Sequence, residues 1–436
     1  MAFRFVHAAD IHLDSPLRSL ALRDPELAEL IGTATRRALE RIVDLCLAEQ
    51  VDALLLAGDL YDGDQTSMKT ARFLAEQMRR LDEAGIDVFL VRGNHDALSR
   101  ITKELVLPER VKLFGGRAEA IPVARPGAAF DVVIHGLSFA QPHAPESLLP
   151  KYRPPLDGAV NIGLLHTSLG GAPGHDLYAP CSLADLAASG MRYWALGHIH
   201  ARTVVEGATT IVMPGMPQGR DINEAGPKSV TLVTIADDRS ISVEERLIAL
   251  AQFERVEVDA TGLTDWEGLV AALSGALEQA RAKAVSAHLV ARVRIVGTSP
   301  LAWRMRRDRD LLKTQADERA SLLGGSRVES LELASTAPLA GAAPDAPEAP
   351  LAGDPVGELR RLIRDEVALS PGYRAEVKRM AEEVFAQLPP DLRNLFGSDE
   401  ASFDAALADA VREGTDDVIA LLQAQDRTQD RTGGDA

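Results

Sequence analysis

The sequence has almost no cysteine: Cys46 and Cys181 are the only two among 436 residues, and neither sits in a paired metal or redox motif. That argues against a disulfide framework and disfavours a structural thiolate zinc site, and it predicts free, buried thiols in a reducing cytoplasm. No apolar run approaches the roughly 18–20 residues that a membrane helix needs. The opening residues, Met1-Ala2-Phe3-Arg4-Phe5-Val6, lack the apolar stretch of a signal peptide and read as a first strand. Positive charge is also in deficit. The net charge of −17 argues against a protein that grips nucleic acid by electrostatics alone.

The deficit is uneven. Residues 1–248 carry 25 Lys+Arg and 32 Asp+Glu, residues 249–335 carry 12 of each, and residues 336–436 carry 10 and 20. More than half of the excess negative charge therefore lies in the C-terminal segment. Hydrophobic content of 46% and charged content of 25% are those of a soluble globular protein. The length predicts two domains plus an appendage.

Over the first 250 residues, short apolar runs alternate with turns and helical stretches. Strands are expected at 3–9, 53–57, 87–91, 132–137, 160–165, 193–196, 209–213, 229–235 and 241–247. Helices are expected at 35–49 and 68–84. A strand–helix–strand rhythm that gives way to strands alone indicates α/β with a mixed or sandwiched sheet. Residues 251–335 read strand, helix, strand, helix, strand, a small α+β domain. Residues 336–356 form a Pro/Ala-rich linker that cannot pack a core. Amphipathic patterns recur at 356–369, 373–388 and 403–423 in the helical region 357–436, whose last dozen residues are expected to fray.

The chemistry-bearing residues cluster just after apolar runs, where a strand ends and a loop can hold side chains in a cleft. Asp10-Ile11-His12, Gly58-Asp59, Gly93-Asn94-His95-Asp96, His166 and Gly197-His198-Ile199-His200 follow five such runs. Pairs spaced by two, Asp10/His12 and His198/His200, point to one side of an extended chain. A mixture of carboxylate, imidazole and amide oxygen suits Mn²⁺, Fe²⁺ or Zn²⁺. Five groups exceed the needs of one ion. Two ions about 3.5–4 Å apart would share a carboxylate, and Asp59 is the natural bridge.

This ordered pattern, DxH…GD…GNHD…H…GHxH, resembles the calcineurin-like metallophosphoesterase superfamily. The resemblance implies a four-layer α/β/β/α sandwich. It implies that Asp10, His12, Asp59 and His200 hold one divalent ion, and that Asp59, Asn94, His166 and His198 hold the other. It makes His95 the general acid, with Asp96 orienting its imidazole. Ala9-Asp10-Ile11-His12-Leu13, Ala57-Gly58-Asp59-Leu60-Tyr61-Asp62, Val91-Arg92-Gly93-Asn94-His95-Asp96 and Met213-Pro214-Gly215 look like the SbcD-type DNA-repair exonuclease branch, closest to its YhaO-like subgroup. On that likeness the α+β domain is a DNA-contacting cap, Mn²⁺ is the foremost metal with Fe²⁺, Zn²⁺ or Mg²⁺ as alternatives, and an SMC-like ATPase is a partner. A homodimer through residues 67–81 is a further expectation from the resemblance. Asp62 stands where some members carry His, and its reading is divided between substrate contact and loop structure. The competing function is a phosphatase or phosphodiesterase for nucleotides or other small phosphoesters.

The remaining histidines, His7, His135, His143, His175 and His288, match no motif and read as surface or packing residues. Asp14 reads as a loop or capping residue. Arg304, Arg306, Arg307, Arg309 and Lys313 form a basic run that Asp308 and Asp310 interrupt, favouring a solvated helical face over a phosphate patch. Trp266 and Trp303 read as packing residues. The C-terminal helices either bind a partner coiled coil or pack on the body.

Overall fold

The computed structural model describes residues 2–15, 25–62, 67–97, 106–125, 127–170, 178–336, 355–387 and 400–432. The chain divides into two compact units: residues 1–254 with 284–290, and residues 255–283 with 291–436.

In the first unit, β1 (Phe3–Ala8) leads to α1 (Pro25–Ala48), β2 (Ala53–Ala57), α2 (Met68–Glu83) and β3 (Asp87–Val91). Next come β4 (Val111–Leu113), β5 (Glu119–Val123), β6 (Val132–Gly136) and β7 (Val160–His166). Then follow α3 (Leu183–Ala188), β8 (Tyr193–Gly197), β9 (Thr203–Val205), β10 (Thr210–Met213), β11 (Ser229–Ile235) and β12 (Ile241–Leu247). Two six-stranded mixed sheets result, ordered β12-β11-β1-β2-β3-β4 and β5-β6-β7-β8-β10-β9. Within them β1 through β4 are parallel neighbours, as are β6, β7, β8 and β10.

The period of two along each strand assigns the faces. Phe3, Phe5, Leu55, Ala57 and Phe89 of the first sheet meet Ile134, Ile162, Leu164, Tyr193 and Val212 of the second in one inter-sheet core. The alternate residues Val6, Ala8, Leu54, Leu56, Val88 and Leu90 pack against Leu39, Ile42, Val43 and Cys46 of α1 and Leu74, Met78 and Leu81 of α2. On the far face of the second sheet, Leu165, Trp194, Leu196 and Met213 cover Leu186 of α3. The layers are thus helix, sheet, sheet, helix. Both cysteines are free and buried, and among the described residues no helix is long and apolar enough to cross a membrane.

The elements that the periodicity does not reveal are β4, β5, β9 and α3. The three strands are at sheet edges, where half-exposed residues blur the alternation, and β5 carries Pro122, which an edge strand tolerates. Helix α1 starts at Pro25, ten residues before the expected 35. Its first turns cover a separate small core in which Leu27 and Ile31 meet Ile222, Ala251, Phe253 and Val290. That core ties residues 251–254 and 284–290 to the first unit. Gln218 reinforces it, accepting from the Leu250 N–H at 2.8 Å and donating to the Ala251 carbonyl at 2.8 Å.

The second unit holds most of β13 (Ala251–Asp259), α4 (Trp266–Lys283) and most of β14 (His288–Val296). It continues with α5 (Ala302–Arg307), α6 (Arg309–Leu322) and β15 (Ser326–Leu333), and its sheet order is β13-β14-β15. The single helix expected after β14 is two, broken at Asp308 (φ −103, ψ 32), whose carboxylate binds Arg307 at 2.6 Å. Trp266 packs on the core as expected, under Arg304 at 4.7 Å, and Trp303 lies under Arg307 at 4.9 Å. The Pro/Ala-rich stretch at 337–354 lies outside the described residues. Beyond it come α7 (Pro355–Leu362), a π-helical turn (Ile363–Val367), α8 (Pro371–Gln387) and α9 (Glu400–Thr432). Helix α9 runs through much of the tail expected to fray.

His7 is an inward-facing residue of β1 that joins the two sheets. Its Nδ1 accepts from the Tyr193 hydroxyl at 3.0 Å and its Nε2 donates to the Leu196 carbonyl at 3.0 Å. Burial holds its pKa down to about 3, against the Leu196 hydrogen bond that favours the charged ring. Its folded pKa is below that of the unfolded chain, near 6.5, so the unfolded state takes up the extra proton. Stability from this group is complete above pH 6.5 and is lost as pH falls towards 3. A His7→Leu variant will be less stable at pH 7, and at pH 5 the gap from the native protein will narrow by about 2 kcal/mol. Urea unfolding at the two pH values measures this, and an unchanged gap would mean that His7 takes up its proton equally in the folded and the unfolded chain.

Candidate metal centre

The ends of five strands meet at one edge of the sandwich. From the first sheet come Asp10 and His12 after β1, Asp59 after β2, and Asn94, His95 and Asp96 after β3. From the second come His166 at the end of β7 and His198 and His200 after β8. Asp10 N–H donates to the Gly58 carbonyl at 3.1 Å and His12 N–H to the Asp59 carbonyl at 3.1 Å, which zips the first two loops together. Four of these residues have φ in the left-handed region: Asp10 (52°), His12 (44°), Asp59 (52°) and His198 (108°). Non-glycine residues adopt it at a cost of order 1–3 kcal/mol each, borne where the surroundings impose a geometry. At Gly93 a Cβ would lie 2.7 Å from His166 Nε2, so only glycine lets the third loop close over that ring.

Among the described residues three groups of ligand atoms form, each with its members within 4.8 Å of one another: Asp10, His12 and His200; Asp59, His166 and His198; and His12, Asp62 and His95. Asn94 joins the second group, its Oδ1 standing 3.0 Å from His166 Nε2. All seven residues anticipated as ligands are therefore brought together. Asp59 sits with His166, its Oδ2 at 3.3 Å from Nε2, while its Oδ1 accepts the His95 N–H at 3.0 Å. Asp10 accepts the His198 N–H through both oxygens, at 3.1 and 2.9 Å.

The donor chemistry fits a divalent cation. His166 Nδ1 donates to the Ala57 carbonyl at 2.9 Å, His12 Nδ1 meets Asp62 at 2.8 Å, and His200 Nδ1 meets Glu224 at 3.0 Å. With each Nδ1–H committed, the Nε2 atoms keep their lone pairs for a metal. His12 Nε2 and His200 Nε2 then face each other at 3.3 Å, two acceptors that a shared cation satisfies. The electrostatics agree. Burial raises the pKa of Asp10, while Asp59 is held low by the His166 ring despite its burial. Without a cation His166 is driven up to about 9, burial being outweighed by Asp59 and Asp10, so that the ring itself supplies the positive charge these carboxylates demand. Buried carboxylates that demand a positive neighbour are a ready cation site.

The structure corrects one role. Asp96 does not reach the His95 ring: its buried carboxylate accepts from the Gly93 N–H at 2.7 Å and the Leu60 N–H at 3.0 Å, shaping the loops instead. Burial, with Asp59 beside it, pushes its pKa up to about 7. Asp62 takes the orienting role, its Oδ1 lying 3.2 Å from His95 Nδ1 and 2.8 Å from His12 Nδ1. The bond to Asp62 raises the His95 pKa against partial burial, and the His95 side chain is 46% exposed. A half-buried charged pair facing an open surface is suited to proton donation.

Sequence reasoning missed Glu224 and Arg220. Glu224 accepts from His200 and from Arg220 (Nη2–Oε1 2.7 Å), and Arg220 reaches Asp62 at 4.0 Å and Ser15 at 3.4 Å. Their spacing of four, with Glu224 in a 3₁₀ turn and Arg220 just before it, carries no recognisable motif; only the fold brings them under His200. Asp14 is a loop residue: it binds Arg36 of α1 at 2.7 Å and Thr70 of α2, fastening the first loop to both helices. Of the unassigned histidines, His7 and His135 are buried and hydrogen-bonded, and His143 stacks edge-on against Tyr178. His175 lies outside the described residues.

Residues 3–202 match the family model of calcineurin-like phosphoesterases, and residues 253–336 match that of the middle domain of metallophosphoesterase YhaO. An uncharacterized metallophosphoesterase, YhaO of Bacillus subtilis, is 34% identical over 68% of this chain and 72% of its own length. DNA double-strand break repair protein Mre11 of Aeropyrum pernix is 27% identical over 59% of this chain and 63% of its own. That of Methanopyrus kandleri is 26% identical over 61% and 56%. The aligned region spans less than two thirds of either Mre11 protein.

Glu224 fixes the His200 tautomer, so its replacement acts on the metal. Glu224→Gln is expected to weaken Mn²⁺ binding about 10–100-fold while the protein stays folded. Calorimetric titration of metal-free protein with Mn²⁺ measures this; native affinity in the variant would leave His200 without need of that partner.

Proposed function

Since the chain belongs to the calcineurin-like metallophosphoesterase family, we propose that it is a two-metal DNA exonuclease, with endonuclease action as an extension, serving DNA repair as the nuclease subunit beside an SMC-like ATPase. The carrying observation is His95 held by Asp62 next to two groups of ligand atoms. The DNA substrate is supported by the Mre11 relatives, named for double-strand break repair. The mixed nitrogen and oxygen donor set favours Mn²⁺ over Mg²⁺. Self-association through α2, where Met68 is exposed, belongs to the same reading.

Asp10, His12, Asp59 and His200 would hold one ion, and Asp59, Asn94, His166 and His198 the other. Bound, the ions neutralise phosphate charge and make water a better nucleophile. The chain's own groups do the rest. His95 delivers a proton to the departing sugar oxygen, a contribution of about 10²–10⁴ in rate. Asp62 holds the ring by Nδ1, leaving Nε2–H for the leaving group. Arg220, only partly exposed beside Asp62, adds a positive field where a phosphate would approach.

The alternative is a phosphatase or phosphodiesterase for nucleotides or other small phosphoesters, which the net charge of −17 favours, because a polyanion gains little from an acidic protein. His95→Ala is expected to keep its metals, counted by mass spectrometry, and to lose about 10²–10⁴ in turnover of linear DNA with Mn²⁺. Good turnover of nucleotide monoesters or cyclic nucleotides by the native protein, with none on duplex or single-stranded DNA, would overturn the nuclease reading.

A further inference from the structure

The second unit contains a cavity of about 1130 Å³ between its α+β domain and its C-terminal helices. Its lining inverts the charge of the segment that builds most of it. Residues 336–436 carry twice as many acids as bases, yet eight arginines and lysines line the cavity against four carboxylates. The basic run read from the sequence as a solvated face is split in two. Arg304, Arg307 and Lys313 pair with Asp308 and Asp317, whereas Arg306 and Arg309 line the cavity.

The cations there are incompletely neutralised. Arg306 and Arg360 both reach Asp416, at 3.6 and 3.0 Å. Among the described residues no carboxylate pairs with the exposed Arg294, Arg309 or Arg374. Arg309 donates to the Leu331 carbonyl at 3.0 Å and Arg374 to the Ala368 carbonyl at 3.0 Å, bonds that aim a guanidinium without cancelling its charge. Guanidinium forks match phosphate oxygens in pairs. The same cavity offers Tyr373, 38% exposed, as a flat ring. Cations that follow a backbone beside an aromatic platform suit a single strand of nucleic acid, and the volume exceeds the usual upper range of about 1000 Å³ for a small-ligand pocket.

We propose that this groove binds single-stranded nucleic acid through its phosphates, with Arg294, Arg309 and Arg374 as contacts and Tyr373 stacking on a base. The inference rests on the DNA reading above and adds to it a second contact surface that shares no residue with the metal centre.

The test uses the full chain with a fluorescein-labelled single-stranded oligonucleotide, in EDTA to stop turnover, with anisotropy read across a salt series. The triple variant Arg294→Ala, Arg309→Ala, Arg374→Ala is expected to bind about tenfold more weakly and to lose about 2 from the slope of log affinity against log salt, roughly 0.7 per phosphate contact. Tyr373→Ala is expected to bind about tenfold more weakly with an unchanged slope. Both variants are expected to hydrolyse bis(p-nitrophenyl) phosphate with Mn²⁺ as the native protein does, which certifies their fold. Native affinity and slope in the triple variant overturn the groove and leave the nuclease reading standing. A native protein that binds through these arginines but never cuts DNA sinks the nuclease reading alone, and one that does not bind the strand sinks both. Preference for polyglutamate over the oligonucleotide overturns the proposal in favour of an acidic protein segment.

Discussion

Three imidazoles with their Nδ1 atoms already spent hold this structure to its purpose. His166 gives its proton to the Ala57 main chain, and His12 and His200 face Asp62 and Glu224. Each ring can then offer only Nε2 to the centre. Those rings come from different sheets, so their convergence depends on how the sheets are spaced. The inter-sheet core of Phe5, Leu55, Ile162 and Tyr193 sets that spacing, and the His7–Tyr193 and His7–Leu196 hydrogen bonds fasten it beneath the site. A tight apolar interior transmits displacement poorly accommodated elsewhere, so a change there would be felt at the ligands.

The same arrangement imposes a cost that the fold carries. Asp10 and Asp59 are buried carboxylates, and four ligand residues lie in a backbone region that side chains avoid. Burial without compensation would be strongly unfavourable for such groups. Backbone N–H donors from His95 and His198 and the facing imidazoles meet part of the demand, and a cation meets the rest. Loops built for stability alone would have no reason to gather so much negative charge in one dry place.

Charge in this chain is a local property. The sum of −17 describes the surface a distant ion sees, yet Arg220 sits between Glu224 and Asp62 beside the candidate ligands, and the cavity of the second unit is lined with arginines. An acidic protein can present basic ground where side chains from separated segments are gathered and their carboxylate neighbours are few.

The sequence by itself determined the candidate metal ligands and the sandwich. Ligands placed directly after apolar strands need only the strand's end to be located, and the alternation along β2 or β7 locates it. Burial on both faces made the central strands long apolar runs, whereas the edge strands β4, β5 and β9 lacked that signal. Tertiary structure decided what depends on approach between distant segments: Asp62 rather than Asp96 beside His95, Glu224 behind His200, and the division of a basic run into residues paired with Asp308 and Asp317 and arginines that line a cavity. Hydrogen-bond partners across 24 to 50 positions are set by how sheets and loops pack, and no local spacing encodes them.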